Sequence, residues 1–319
     1  MSRNAIIALA KVLVTATLLY LFVRRTDFAS VLKALSRQNL GLIVALALLN
    51  VTGLFVGAYK WHTLLPETSF KGIVIACFAS YYIGLLLPGQ LAQEAAKAYY
   101  LSLGQSPRIH RIAASVVVDK IISIIGLVIV GCVGLGLSET RLPRSLIWLF
   151  LFGGGLAVAL LFSLRARWLY SLAGQYLSGL GAWLPRQERI FSGGSRVIEA
   201  WHTYSKNLRL LAENVLLAIL YQLVGVLAFY LLSRGLNIEI TFADWSWIVA
   251  ALTLALFLPL TIGGLGVREG TLIGILAMYG CEKETAVAIS LIGFSFVLML
   301  AAIGAVLSFG AKQPRNASV

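Results

Sequence analysis

Charge is scarce in this chain. Asp, Glu, Lys and Arg together fill 12% of 319 positions, whereas hydrophobic residues fill 59%. A water-soluble domain carries roughly a quarter charged residues, so the composition excludes an ordinary soluble fold. Acidic residues are the rarer sign, 13 against 26 Lys and Arg, and there are only three histidines. His62, His110 and His202 lie far apart, and no Ser/His/Asp arrangement is visible. The longest polar connection lacks paired acidic residues for a metal or a sugar nucleotide. No cofactor or metal site is expected. The three cysteines, Cys77, Cys132 and Cys281, sit singly in apolar segments. Their spacing excludes a disulfide framework and a zinc site, and leaves them as small packing residues. The net charge of +13 comes without a soluble basic module, so nucleic acid is not an expected partner. Basic residues placed at lipid headgroups account for it instead.

What the sequence does have is apolar length. Stretches near the roughly 20 residues needed to cross a bilayer fall at 5–23, 40–59, 114–137, 145–163, 210–233 and 285–309. The first contains Lys11 and runs into Arg24-Arg25 rather than a small-residue cleavage site, so it is read as a retained helix. The connector 164–209 is rich in arginine and is expected in the cytoplasm. Within it Leu169, Leu172, Tyr176, Leu180 and Trp183 recur at helical spacing, as in a helix lying in the membrane interface. Val197, Trp201, Tyr204 and Leu208 mark a second, weaker amphipathic helix. The same pattern also suits a connector packed on helix ends. The tail 311–319, with Lys312 and Arg315, is expected to be flexible and cytoplasmic.

Two apolar regions are interrupted. Ile73 to Leu87 is broken by Pro88-Gly89 and resumes to about Leu103. Trp245 to Leu258 is broken by Pro259 and by Gly263, Gly264 and Gly266, then resumes at Arg268-Glu269 and ends near Gly280. Proline removes a backbone donor and glycine loosens the chain, so the freed polar groups must face protein or a watery cavity. The expected fold is therefore an all-α polytopic membrane protein, a single transmembrane domain over 1–319. It has about six full transmembrane helices and two broken re-entrant hairpins. Regions 40–137 and 210–309 then form an inverted repeat, a plan that places binding sites where the copies meet. Under this topology Arg24, Arg25, Lys33 and Arg37 lie outside, against the positive-inside rule, so full spanning by the broken regions stays open as the other topology.

A charge in mid-bilayer costs about 2.5–3.5 kcal/mol on insertion scales, so Glu94, Lys97, Arg268 and Glu269 beside the breaks need partners or a function. The expectation is that the hairpin tips meet, with Glu94 pairing with Arg268 and Glu269 lying near Lys97. New helices begin near Gln90 and Leu265, and their free N–H groups offer a headgroup or anion site beside Lys97 and Arg268. The other reading is structural, the charges neutralising one another and pinning the tips. Asp119-Lys120 either completes the site or marks where its helix meets the interface. Lys60-Trp61 reads as an interfacial anchor. Tyr81, Tyr82, Tyr99 and Tyr100 flank the first break as lining of a lipid path or as packing. Gly131, Gly134, Gly136 and Gly153-Gly154-Gly155 read as close helix contacts.

Lys60-Trp61, Leu87-Pro88-Gly89 with Glu94 and Lys97, Asp119-Lys120 and the run Pro259 to Glu269 together resemble the lysylphosphatidylglycerol synthase transmembrane region, also called the flippase-like family. The resemblance covers most of the chain, and the last motif is the most specific. In that family the first hairpin usually reads glycine-glycine-aspartate with an arginine three residues on, and the later pair is aspartate-arginine. Here Glu94, Lys97 and Lys120 keep the charges while the double glycine is missing. The resemblance implies movement of an amphiphile between leaflets of the cell membrane, either a modified phospholipid or a polyprenyl-linked glycan, and does not imply synthase activity. Membrane lipids or a lipid-linked glycan are the implied partners, with a lipid-modifying enzyme as a further one. The alternative is a membrane-embedded glycosyltransferase, or an accessory protein acting on lipid-linked sugars.

Overall fold

The computed structural model describes residues 39–85, 90–102, 109–138, 155, 204, 207–257, 264 and 266–310. The expected spans 5–23 and 145–163, nearly all of the connector 164–209, the tail 311–319, and Pro88, Gly89, Pro259 and Gly263 lie outside the described residues. Among those described there are eight helices and no strands. They are α1 (Leu40–Leu64), α2 (Phe70–Gly84), α3 (Gln90–Ser102), α4 (Ile109–Leu137), α5 (Leu208–Gly235), α6 (Phe242–Phe257), α7 (Val267–Leu276) and α8 (Lys283–Gly310). A 3₁₀ turn, Ala277–Tyr279, extends α7.

Helix starts follow from capping residues in the connections. The Asn39 side chain accepts from the Gly41 N–H, Ser69 from Gly72, and Asn207 from Leu210, satisfying donors that have no intrahelical partner. Thr241 Oγ1 does the same for the Asp244 N–H at the start of α6. At the end of α5, Asn237 takes a left-handed φ of 58° and the Ile238 N–H reaches back to the Ser233 carbonyl, a Schellman closure.

Four of these helices, α1, α4, α5 and α8, are long and apolar enough to cross a membrane. The chain is an all-α multi-pass membrane protein. Two of the four run further than their apolar runs suggest. α1 continues past Tyr59 through buried Lys60 and Trp61 to Leu64, and α4 begins at Ile109, well before the expected start at 114. By contrast α2 and α6 have 15 and 16 residues, about 22–24 Å at 1.5 Å per residue. That is short of the roughly 30 Å hydrocarbon layer. α3 returns against α2, and α7 against α6.

The two sets of four helices exchange contacts. α1 packs along α5, α2 packs along α8, and α6 packs along α4. Two glycines make the last two approaches possible. A Cβ at Gly134 on α4 would stand 2.6 Å from the Ala243 carbonyl oxygen of α6, and one at Gly304 on α8 would collide with the Phe78 carbonyl oxygen of α2. Small residues that let helix backbones approach are the usual means of association where solvent gives no hydrophobic drive. Among the described residues nothing stands within 4 Å of a Cβ added at Gly136 or Gly155, also expected at close contacts. The buried tryptophans have satisfied N–H groups. Trp61 donates to Ser115 Oγ at 3.0 Å and Trp245 to Ser233 Oγ at 2.9 Å.

Gly304→Ala is expected to lower the unfolding midpoint in detergent, at a cost of about 1–3 kcal/mol for a backbone that cannot yield. Gly293→Ala, whose nearest neighbour stands 3.8 Å from the added carbon, should be close to neutral. Thermal unfolding of both purified variants checks the pair.

Candidate functional site

Asp119 lies ten residues after the start of α4 at Ile109, about 15 Å along the helix, and its side chain is 6% exposed. A carboxylate so placed needs cations. Asp119 Oδ1 meets Lys60 Nζ at 2.8 Å and Oδ2 meets Lys97 Nζ at 3.1 Å. Lys97 in turn meets Glu94 Oε2 at 2.8 Å, and Glu94 Oε1 meets Lys120 Nζ at 3.4 Å. The result is a ladder of alternating charge, Lys60, Asp119, Lys97, Glu94 and Lys120, drawn from α1, α3 and α4.

The rungs are not equally satisfied. Lys60 also donates to the Asp119 backbone carbonyl at 3.1 Å and to Ser123 Oγ, so its ion pair is backed by two hydrogen bonds. Lys97 has two carboxylates and lies 4.6 Å from the centre of the Trp61 ring. Lys120 has one long contact and sits 4.3 Å from the centre of the Phe257 ring, on α6. Arg268, near the start of α7, lies 5.1 Å from the centre of the Phe294 ring and makes no ion pair among the described residues.

Around these groups is a cavity of about 350 Å³ whose wall takes residues from all eight helices. Glu94, Lys97, Asp119, Lys120 and Arg268 line it, as does Lys60. The expected pairing is different in two respects. Glu94 is held by Lys97 and Lys120 rather than by Arg268, because Lys97 is one helical turn away on the same face and Lys120 faces it from α4. Glu269 is turned away from Lys97. Its Oε2 accepts from the Gly266 N–H and its Oε1 from Ser290 Oγ on α8. Residues adjacent on a helix point about 100° apart, so Arg268 and Glu269 cannot both face the cavity. A carboxylate at the start of α7 also supplies the negative charge that a helix start favours, which corrects the expectation of an open N–H site there.

Three smaller expectations resolve as follows. Lys60-Trp61 is not an interfacial anchor, since Lys60 is 2% exposed and Trp61 fully buried. The continuation of apolar sequence through Leu64 and Leu65 was the available signal. Asp119 does not mark the start of α4, which lies ten residues earlier; it is buried and lines the cavity. Of the four tyrosines only Tyr81 lines the cavity, as does Tyr221 of α5. Tyr99 is 64% exposed, and Tyr82 and Tyr100 are outside the lining. Gly264 and Gly266 have φ of +74° and +86°, a conformation that favours glycine. A Cβ at Gly264 would also stand 2.6 Å from Leu256 Cδ2. Among the described residues no group of His, Cys, Asp and Glu is arranged to hold a metal ion.

A family model for the lysylphosphatidylglycerol synthase TM region matches residues 8–304. No curated protein matches the chain.

Asp119→Ala leaves Lys60 buried without its carboxylate. It should lower stability by about 3–5 kcal/mol, as breaking a buried pair does, whereas Lys120→Gln, at the loosely held end of the ladder, should cost much less. Denaturant unfolding in mixed micelles measures both.

Proposed function

Starting from the lysylphosphatidylglycerol synthase transmembrane-region family, to which this chain belongs, we propose that the protein moves an amphipathic lipid between leaflets of the membrane. Its headgroup is held in the cavity between the two broken helix pairs. The observation that carries this is the cavity itself, about 350 Å³ in volume and lined by charged residues inside a bundle of apolar helices. Its size falls in the range of small-molecule sites. Ionisable groups in such a setting mark substrate pathways by default.

The structural reading of the charges accounts for part of the ladder. Lys60, Asp119 and Lys97 satisfy one another and tie α1, α3 and α4 together. Among the described residues it leaves Arg268 without an ion pair, and Lys120 with one loose contact. On the transport reading these two hold the headgroup. The exchange of contacts between the halves, α2 on α8 and α4 on α6, supports 40–137 and 210–309 as repeats related by an inverted symmetry.

Purified protein in liposomes with a headgroup-labelled lipid should transfer label between leaflets without forming a chemical product. Arg268→Ala should cut the rate at least about tenfold, the loss of one charge-assisted contact, with membrane insertion unchanged. Full activity in Arg268→Ala would exclude this site. A new product would favour the enzyme alternative.

A further inference from the structure

Charge arithmetic in the cavity narrows what it can hold. Four cations line it, Lys60, Lys97, Lys120 and Arg268, against two carboxylates, Glu94 and Asp119, a net of +2 among the described residues. A surplus of that size, inside helices of the apolar composition of α1, α4, α5 and α8, is costly unless something neutralises it. The surplus also has a location. Lys60 and Lys97 are held by Asp119 and Glu94 at 2.8–3.1 Å, whereas Lys120 has one contact to Glu94 at 3.4 Å and Arg268 has no ion pair among the described residues, which assigns the surplus to Lys120 and Arg268. Both lie at the end of α6. Lys120 is over the Phe257 ring, and Arg268 approaches Gly264, which packs on Leu256. The aromatic rings under the two cations offset only part of their charge.

Resting on the transport reading above, we infer that the headgroup this site takes carries a dianionic phosphate, a phosphomonoester or diphosphate, bound between Lys120 and Arg268. A monoanionic phosphodiester leaves one charge uncompensated, and a cationic headgroup adds to the surplus. The two side chains suit the task differently. The guanidinium gives two parallel donors to one phosphate face, and the ammonium acts as a point charge from the other side.

The test is binding to the purified full chain in nanodiscs, with phosphatidic acid, a polyprenyl diphosphate, phosphatidylglycerol of matched acyl chains, and inorganic diphosphate as probes. Phosphatidic acid and the polyprenyl diphosphate should bind at least about tenfold tighter than phosphatidylglycerol. Lys120→Gln and Arg268→Gln should each bring that preference down towards unity, and Lys120→Arg should keep it. Glu94→Gln, which raises the surplus, should strengthen it, an effect a merely structural role would not produce. Inorganic diphosphate should compete with the lipids more weakly than they bind. Competition as strong as lipid binding would make the ligand a free anion and overturn the lipid assignment. Equal binding of phosphatidylglycerol and phosphatidic acid, or tighter binding of a lipid with a cationic headgroup, overturns the dianion inference even if leaflet transfer is intact. Absence of leaflet transfer for every lipid with the dianion preference retained would instead sink the transport reading alone.

Discussion

Asp119 holds two ammonium groups, one on each oxygen, and the arrangement of α1, α3 and α4 depends on it. A carboxylate a third of the way along a helix of 29 residues, its side chain only 6% exposed, is largely cut off from solvent and needs cations beside it. Lys60 arrives from the last turns of α1 and Lys97 from the middle of α3. These contacts fix how deep the short helix α3 can sit, which its own 13 residues do not determine. Trp61, seated against Ser115 and under Lys97, fills the space beside the cluster with a rigid apolar body. The polar wall of the cavity is thus a consequence of the way a buried charge is satisfied.

The parts of the fold governed by one-dimensional pattern were legible in the sequence. Apolar length marks α1, α4, α5 and α8, and the breaks at Pro88-Gly89 and at Pro259 to Gly266 separate α2 from α3 and α6 from α7. What was not legible depends on register between helices. Glu94 could be assigned to Lys97 from spacing alone, but its second partner, Lys120, depends on how α3 lies on α4. Lys60 was hidden because a lysine at the end of an apolar run also suits an interfacial anchor. The misplacement of Glu269 has a local cause. With the helix starting after Gly266, Glu269 occupies the third position, where a carboxylate reaches back to the N-cap N–H, whereas a start at Leu265 conceals that relation.

The way the halves meet differs from the way the first half is held together. Every ion pair among the described residues joins residues between Lys60 and Lys120. Contacts from the first half to the second among the described residues are mostly apolar or neutral, and one hydrogen bond at this boundary, from Ser138 just after α4, goes to the Asp244 carboxylate of α6. The neutral contacts include glycine approaches at Gly134 and Gly304 and the hydrogen bond from Asn214 to Thr63. Lys120 over the Phe257 ring is a charged contact across the boundary, and a cation over an aromatic face is held more loosely than a buried ion pair.

This asymmetry bears on how a bundle of this kind could work as a carrier. If the halves rock against each other, as in transporters built from inverted repeats, the cost of motion is set by what must be broken at their boundary. Neutral hydrogen bonds and packing contacts can be exchanged for others nearby, whereas a buried ion pair pulled apart leaves two charges without partners. The ion pairs among the described residues all lie within 40–137, so motion of the second half leaves those pairs intact. Among the described residues Arg268 is then the one charged wall residue contributed by the second half, and its distance from Lys120 is the quantity that such a motion would change. A ligand bridging the two would favour one separation over others, so that binding the headgroup and setting the relative position of the halves become a single event.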